Sequence, residues 1–298
     1  MTDTARPSAS DQEMHLVAPR RSVTRHLADL WEYRELLRQL VRRELKVKYK
    51  GSALGFAWSL FNPAAMAGIY YVVFVKFLGN PQPDFHIWIL SGLLIWQFFA
   101  TSLIGGALSV VGNSYLVGKV RFPREVLPLA AVGAALVHFF LQLGVLFVIA
   151  LGSRYELDWA WLPMMVPALV VCVVLASGLA ILFSTVNVYA RDTQHLLELV
   201  LQIWFWLSCV IVSYAGIGNN LRSDGVASGV LLLNPMTSVV ITMQRAIYGS
   251  QGVPEYLPDG SALWYLRNLA PVFVVAVAIV VFAIRVFDRA EGNFAEML

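Results

Sequence analysis

Residues 111–130 read VGNSYLVGKVRFPREVLPLA, and Gly112, Gly118 and Lys119 are the residue types of a phosphate-binding loop. A loop that wraps a nucleotide's phosphates needs four residues between its glycines, and a Ser or Thr after the Lys to hold Mg²⁺. Here five residues intervene and Val120 follows the Lys, so the stretch is not expected to bind ATP. It offers instead Lys119, Arg121 and Arg124 around Phe122, with Pro123 and Pro128 as breaks. Other reactive groupings are sparse. There is no Asp-x-Asp motif of the kind a metal-dependent glycosyltransferase would use, and Glu125, Asp192, Glu198, Asp288 and Glu291 are scattered. Cys172 and Cys209 lack the further ligands that a metal requires and read as inert buried thiols. No catalytic residue and no metal site is expected. His138 and Gln142, one helical turn apart, fit either a polar site facing a lumen or a hydrogen bond between packed helices.

The elements that carry these residues follow from composition. Of 298 residues, 58% are hydrophobic and 14% charged, against about 25% charged in soluble domains. A helix that crosses ~30 Å of hydrocarbon needs ~20 apolar residues. Six stretches satisfy this, near 57–78, 86–110, 126–151, 162–186, 196–216 and 268–287. They do not alternate as barrel strands would. The expected fold class is an all-α integral membrane protein with six transmembrane helices. Residues 1–30, polar with Pro7 and Pro19, read as a flexible cytoplasmic tail.

Six spans return the chain to the side where it began. Lys76, Arg154, Arg222, Arg245 and Arg267 fall to one side; every other Lys and Arg falls to the opposite side. The positive-inside rule makes that opposite side cytoplasmic, with both termini and the 112–125 loop. Before the first span, residues 33–50 place Tyr33, Leu36, Leu37, Leu40, Val41 and Leu45 on one helical face and Arg38, Arg42, Arg43 and Lys46 on the rest. An amphipathic helix of this kind lies in the membrane interface, its cations among anionic head groups. Residues 226–248 are apolar but broken at Asn234–Pro235, each half too short to span, and predict a re-entrant helical hairpin dipping in from outside. Trp88, Trp96, Trp159 and Trp161 stand where interfacial belts are expected.

In order along the chain come RRELKVKYKGSALGFAWSLFNP, GLLIWQFF, NSYLVGKVRFPREVLPL, LFSTVNVYARDTQHLLELVLQIWFWLS, LNPMTSVV and RAEGNFAEML. This ordered set, over residues 33–296, resembles the membrane subunit of type-2 ABC exporters of cell-surface polysaccharides: the Wzm-type O-antigen, teichoic-acid and galactan permeases. The mycobacterial galactan exporter is the nearest named expectation. The resemblance implies that this chain is no enzyme. ATP and Mg²⁺ would bind a separate soluble ABC ATPase, present in two copies, and no cofactor would sit in this chain.

The resemblance further implies that residues 112–125 form a coupling helix docking on that ATPase, through Asn113, Tyr115, Leu116, Lys119, Arg121, Phe122, Pro123, Arg124 and Glu125. Tyr115, Leu116 and Val117 would form its apolar knob. Arg191 and Asp192 in the second cytoplasmic loop would either join that surface or cap the following helix. The chain would pair with a second copy of itself to enclose a pore. Tyr70, Tyr71, Phe74, Trp204 and Trp206 would line the path of a lipid-linked glycan, because aromatic faces suit the apolar faces of sugars. An ion-coupled carrier is the other transport class, but it would carry midplane charge. A type-2 permease for a drug, heme or lipid is the nearest alternative.

Overall fold

The computed structural model describes residues 32–49, 57–79, 82–119, 122–223, 227–249, 255–292 and 294–297. The expected tail at 1–30 and Arg121 lie outside the described residues. Helix α1 covers Arg34–Tyr49 and α2 covers Ala57–Tyr70, continuing as a π-helical turn over Tyr71–Phe77. Then come α3 (Phe85–Gly112), the short α4 (Ser114–Lys119), α5 (Val126–Gly152) and α6 (Met165–Tyr189). Helices α7 (Thr193–Leu207), α8 (Tyr214–Ser223) and α9 (Pro235–Tyr248) follow, then α10 (Ala262–Glu291) and α11 (Phe294–Met297).

Among the described residues, four helices are long and apolar enough to cross a membrane: Phe85–Gly112, Val126–Gly152, Leu162–Tyr189 and Ala262–Glu291. The outward faces of the bundle carry Val148, Leu151, Val166, Val170, Val274 and Phe282. A surface this apolar is stable in lipid, not water, and the protein is a multi-pass membrane protein. The first expected span appears as the shorter apolar helix Phe61–Phe77.

The fifth expected span, 196–216, is not one helix. Helix α7 stops at Leu207, and its 15 residues reach about 22 Å at 1.5 Å per residue, short of the hydrocarbon thickness. Residues 208–213 are non-helical, and Cys209 takes a left-handed φ of 54°. Non-helical backbone at this depth requires partners from protein. They come from α9.

Helices α3 and α6 form the centre, and α10 closes the opposite side of α6. Small residues permit this closeness. A Cβ at Gly106 of α3 would overlap Ala180 of α6, and one at Gly178 of α6 would lie 2.9 Å from the Val280 backbone of α10. Asn187 of α6 donates to the Ala107 carbonyl of α3 at 3.0 Å. His138 is buried inside this bundle, and Gln142 lines a narrow gap with Pro63, Ala64, Leu90 and Leu94. Both therefore lie among packed helices. Cys172 and Cys209 are buried and unpaired with each other. Trp88 and Trp96 do not form a belt: both are buried, Trp88 against Tyr248 and Trp96 against Phe99 and Trp204. Trp159 is exposed.

Candidate functional site

At the end of the bundle that carries the basic loop there is a second, smaller core. Leu40 of α1, Val110, Val117, Val126, Leu127, Ile284, Phe287 and Phe294 bury one another there. This core fixes the loop between α3 and α5. Asn113 caps α3, donating from its side chain to the Ser109 carbonyl at 2.8 Å. It also accepts from the Arg43 guanidinium at 2.7 Å. Arg124 donates to the Glu291 carbonyl at 2.8 Å and pairs with the Glu291 carboxylate at 3.5 Å. Tyr189 donates to the Ala290 carbonyl at 3.3 Å and packs against Phe294. The first loop, the end of α6 and the C-terminal helices are thus one connected piece.

The expected docking residues divide. Tyr115 is 70% exposed. Val117 is buried in the small core, and Leu116 and Phe122 pack half-buried against it, so the expected three-residue knob reduces to the tyrosine. Asn113 and Arg124 face inward to Arg43 and Glu291 instead of outward, because buried apolar neighbours pull the loop onto the bundle. Pro123 and Glu125 are buried. Lys119 ends α4, with its side chain outside the described residues. Arg191 and Asp192 are both exposed and form no ion pair with each other. Asp192 occupies the N-cap of α7 without a side-chain capping bond. Glu198 is half-exposed and accepts from Gln194, as a carboxylate near a wetted helix end does.

Helix α1 departs from its expected setting. Its apolar stripe, Leu36, Leu37, Leu40 and Val41, faces the small core of the same chain. Val41 fits over Gly133 of α5, where a Cβ would stand 2.8 Å away. Covering the stripe with α5 removes it from water as effectively as an acyl boundary would. Arg38, Arg42 and Lys46 stay exposed; Arg43 is held by Asn113.

The second arrangement lies at the break after α7. Asn234 caps α9, accepting from the Met236 N–H at 3.0 Å. The same side-chain oxygen accepts from the Trp204 indole at 2.7 Å, while its amide donates to the Leu207 carbonyl and the Ser208 hydroxyl. Further along α9, Gln244 donates to the Val210 carbonyl at 3.2 Å. Gly92 of α3 leaves the room, since a Cβ there would meet the Gln244 amide at 2.8 Å. The carbonyls freed by the broken helix thus find amide donors. Trp96, beside Trp204, is eleven residues into α3, a depth of about 16 Å at 1.5 Å per residue, near the middle of a bilayer.

Helix α9 is buried along its whole length. Arg245 lies over the Trp161 ring at 3.9 Å from its centroid, a desolvated cation–π contact worth about 2 kcal/mol. Tyr155 donates to the Tyr248 carbonyl, and Tyr248 to the Pro83 carbonyl, each at 2.6 Å. Burial pushes the Tyr155 phenol above its ordinary range, so it stays a donor. Sequence reasoning did not foresee these anchors. Their signal was the run of Thr237, Ser238, Thr242, Gln244 and Arg245 inside an apolar helix.

Of the aromatic set, Trp204 faces inward against Phe99 and Trp96. Tyr70, Tyr71 and Phe74 are half-buried, with Phe74 on Phe85 and Tyr71 near His86. Trp206 is 53% exposed, on a face with Leu199, Ile203 and Leu207. The structure therefore does not gather the five on one surface. No group of three or more His, Cys, Asp or Glu that could hold a metal occurs among the described residues.

The sequence profile described as "ABC-2 type transporter" matches residues 35–248. The O-antigen export system permease protein RfbA of Myxococcus xanthus is 32% identical over 275 residues, 92% of this chain and 99% of that protein. A Klebsiella pneumoniae protein of the same name is 27% identical over 270 residues, 89% of this chain and 95% of that one. The polysialic acid transport protein KpsM of Escherichia coli is 22% identical over 242 residues, 76% of this chain and 84% of its own.

Proposed function

Because the chain belongs to the ABC-2 type transporter family, whose membrane subunits work with an ATPase partner, we propose that it is the permease of a polysaccharide exporter. Its cargo is a cell-envelope glycan, lipid-linked, with galactan the first sugar polymer to try. The names of its relatives support a glycan cargo. The observation that carries the coupling role is the basic end of the bundle, where exposed Tyr115 stands on a rigid core bonded to α1 and to the C-terminal helices.

In this reading α4 seats in a cleft of a soluble ABC ATPase, which holds ATP and Mg²⁺. Closure of two ATPases pushes α4. The Arg43–Asn113 bond passes that push to α1, and the Arg124–Glu291 bond passes it to α10. The basic end is cytoplasmic in the plasma membrane, as are both termini, by the charge asymmetry. One chain offers too few helices to enclose a glycan, so a two-fold homodimer forms the pore. The exposed apolar face with Trp206 is the part of the aromatic set available to that pore.

Extraction of the tagged chain in mild detergent, followed by identification of co-purifying proteins, tests this. A stoichiometric soluble ABC ATPase, and lipid-linked glycan accumulating inside cells after depletion, are the expected results. Recovery without any ATPase, or an unchanged envelope on depletion, would overturn it.

A further inference from the structure

At the bundle end opposite the basic loop, the structure holds a cavity of about 520 Å³. Small-ligand sites occupy ~300–1,000 Å³. Helix α8, the turn at 228–233 and the segment leading into α10 enclose it. Tyr214, Asn219, Leu232, Leu257, Asp259 and Trp264 supply its side chains, and Gly218 and Gly229 open its wall. The Trp264 ring rests on Gly260, where a Cβ would stand 2.9 Å from it, and meets the Tyr265 ring edge-on at 5.0 Å. Ser261 caps the helix start beneath it. The indole is therefore held in place. Leu257 is fully buried, and Asn219 and Asp259 are exposed at the mouth.

An aromatic ring, a side-chain amide and a carboxylate around an open cavity are complementary to a sugar. The ring takes the apolar C–H face, the amide both donates and accepts, and the carboxylate accepts from two hydroxyls. The charge of the lining narrows the class further. Among the described residues that line it, Asp259 is the sole charged side chain, and none is basic. Arg245, whose field reaches Asp259, is stacked on Trp161 and does not line the cavity. A carboxylate at the mouth repels anionic sugars.

We propose that this cavity is an exit subsite for neutral sugar units of the exported glycan, and that it excludes acidic ones. The inference rests on the export function proposed above and adds the place and the charge of the sugar.

The test uses the full chain with its ATPase in nanodiscs, carrying Gly229→Cys on the cavity wall, where a Cβ meets nothing within 4 Å. Cys172 and Cys209 are buried, so a polar maleimide reads the new thiol. Soluble galactan and mannan oligosaccharides are expected to slow its labelling several-fold, and oligosialic acid to leave it unchanged. Adding Trp264→Ala should abolish the protection, Trp264→Phe should keep most of it, and Asp259→Asn should let oligosialic acid protect as well. Equal labelling with and without neutral oligosaccharides, or protection by oligosialic acid in the presence of Asp259, would overturn the proposal. Failure of the export reading looks different. No ATPase would co-purify, and depletion would not alter the envelope, whatever the labelling.

Discussion

The indole N–H of Trp204 donates to the side-chain oxygen of Asn234 at 2.7 Å, joining the last turn of α7 to the first of α9. That one asparagine also caps α9 and donates to the Leu207 carbonyl and the Ser208 hydroxyl where α7 breaks. Asn234→Ala should therefore strip several bonds at once. The expected loss is about 2–3 kcal/mol, from the missing cap and an orphaned carbonyl. Denaturant unfolding in detergent would measure it. Asn234→Asp keeps the accepting oxygen and should lose less.

Helices α3 and α6 touch at Gly106 and Ala180, with no space for a further methyl group. Gly106→Ala should destabilise by about 1–3 kcal/mol through overpacking. The double variant Gly106→Ala, Ala180→Gly moves the methyl across the contact. It should recover most of the loss, read as the melting temperature of the purified protein.

Arg124 and Glu291 bind the first loop to the end of α10, with side chains 19% and 33% exposed. Either Ala variant should weaken ATP-driven export more than ATPase binding, since the docking tyrosine is untouched. A double-mutant cycle on stability is expected to return a coupling of about 1 kcal/mol, because a partly wetted pair is screened.

Tyr115 contributes little to the fold, because most of its ring is exposed. Tyr115→Ala should leave the unfolding free energy within about 0.5 kcal/mol of the parent, as surface changes do. It should reduce recovery of the ATPase in pull-downs at least severalfold. Unchanged recovery would remove Tyr115 from the docking surface.

Sidedness is open to direct measurement. Glu156 and Arg191 are exposed at opposite ends of the bundle. In intact cells an impermeant maleimide should label Glu156→Cys and spare Arg191→Cys until the membrane is permeabilised. The reverse pattern would invert the proposed topology.

Much of this was legible from residue order. Uninterrupted apolar length marked the four long helices, since a backbone in hydrocarbon must satisfy itself. Asn234–Pro235 marked a break in an apolar run, and the structure starts α9 there with Asn234 as its cap. The Lys and Arg asymmetry set an expected orientation. The family likeness followed from short motifs in a fixed order. All of these are local or one-dimensional properties, readable without knowing which helix neighbours which.

Other features depended on three-dimensional packing. An apolar stripe on α1 is covered equally well by lipid or by α5, and only packing on Gly133 chose between them. The run 196–216 is apolar enough for a helix throughout, yet it breaks at Leu207, because α9 supplies donors for the freed carbonyls from residues 27 to 35 positions away. Arg124 could serve a partner or its own chain until Glu291 was found beside it. Hydrophobicity and charge state what a residue needs; the fold decides which neighbour meets that need.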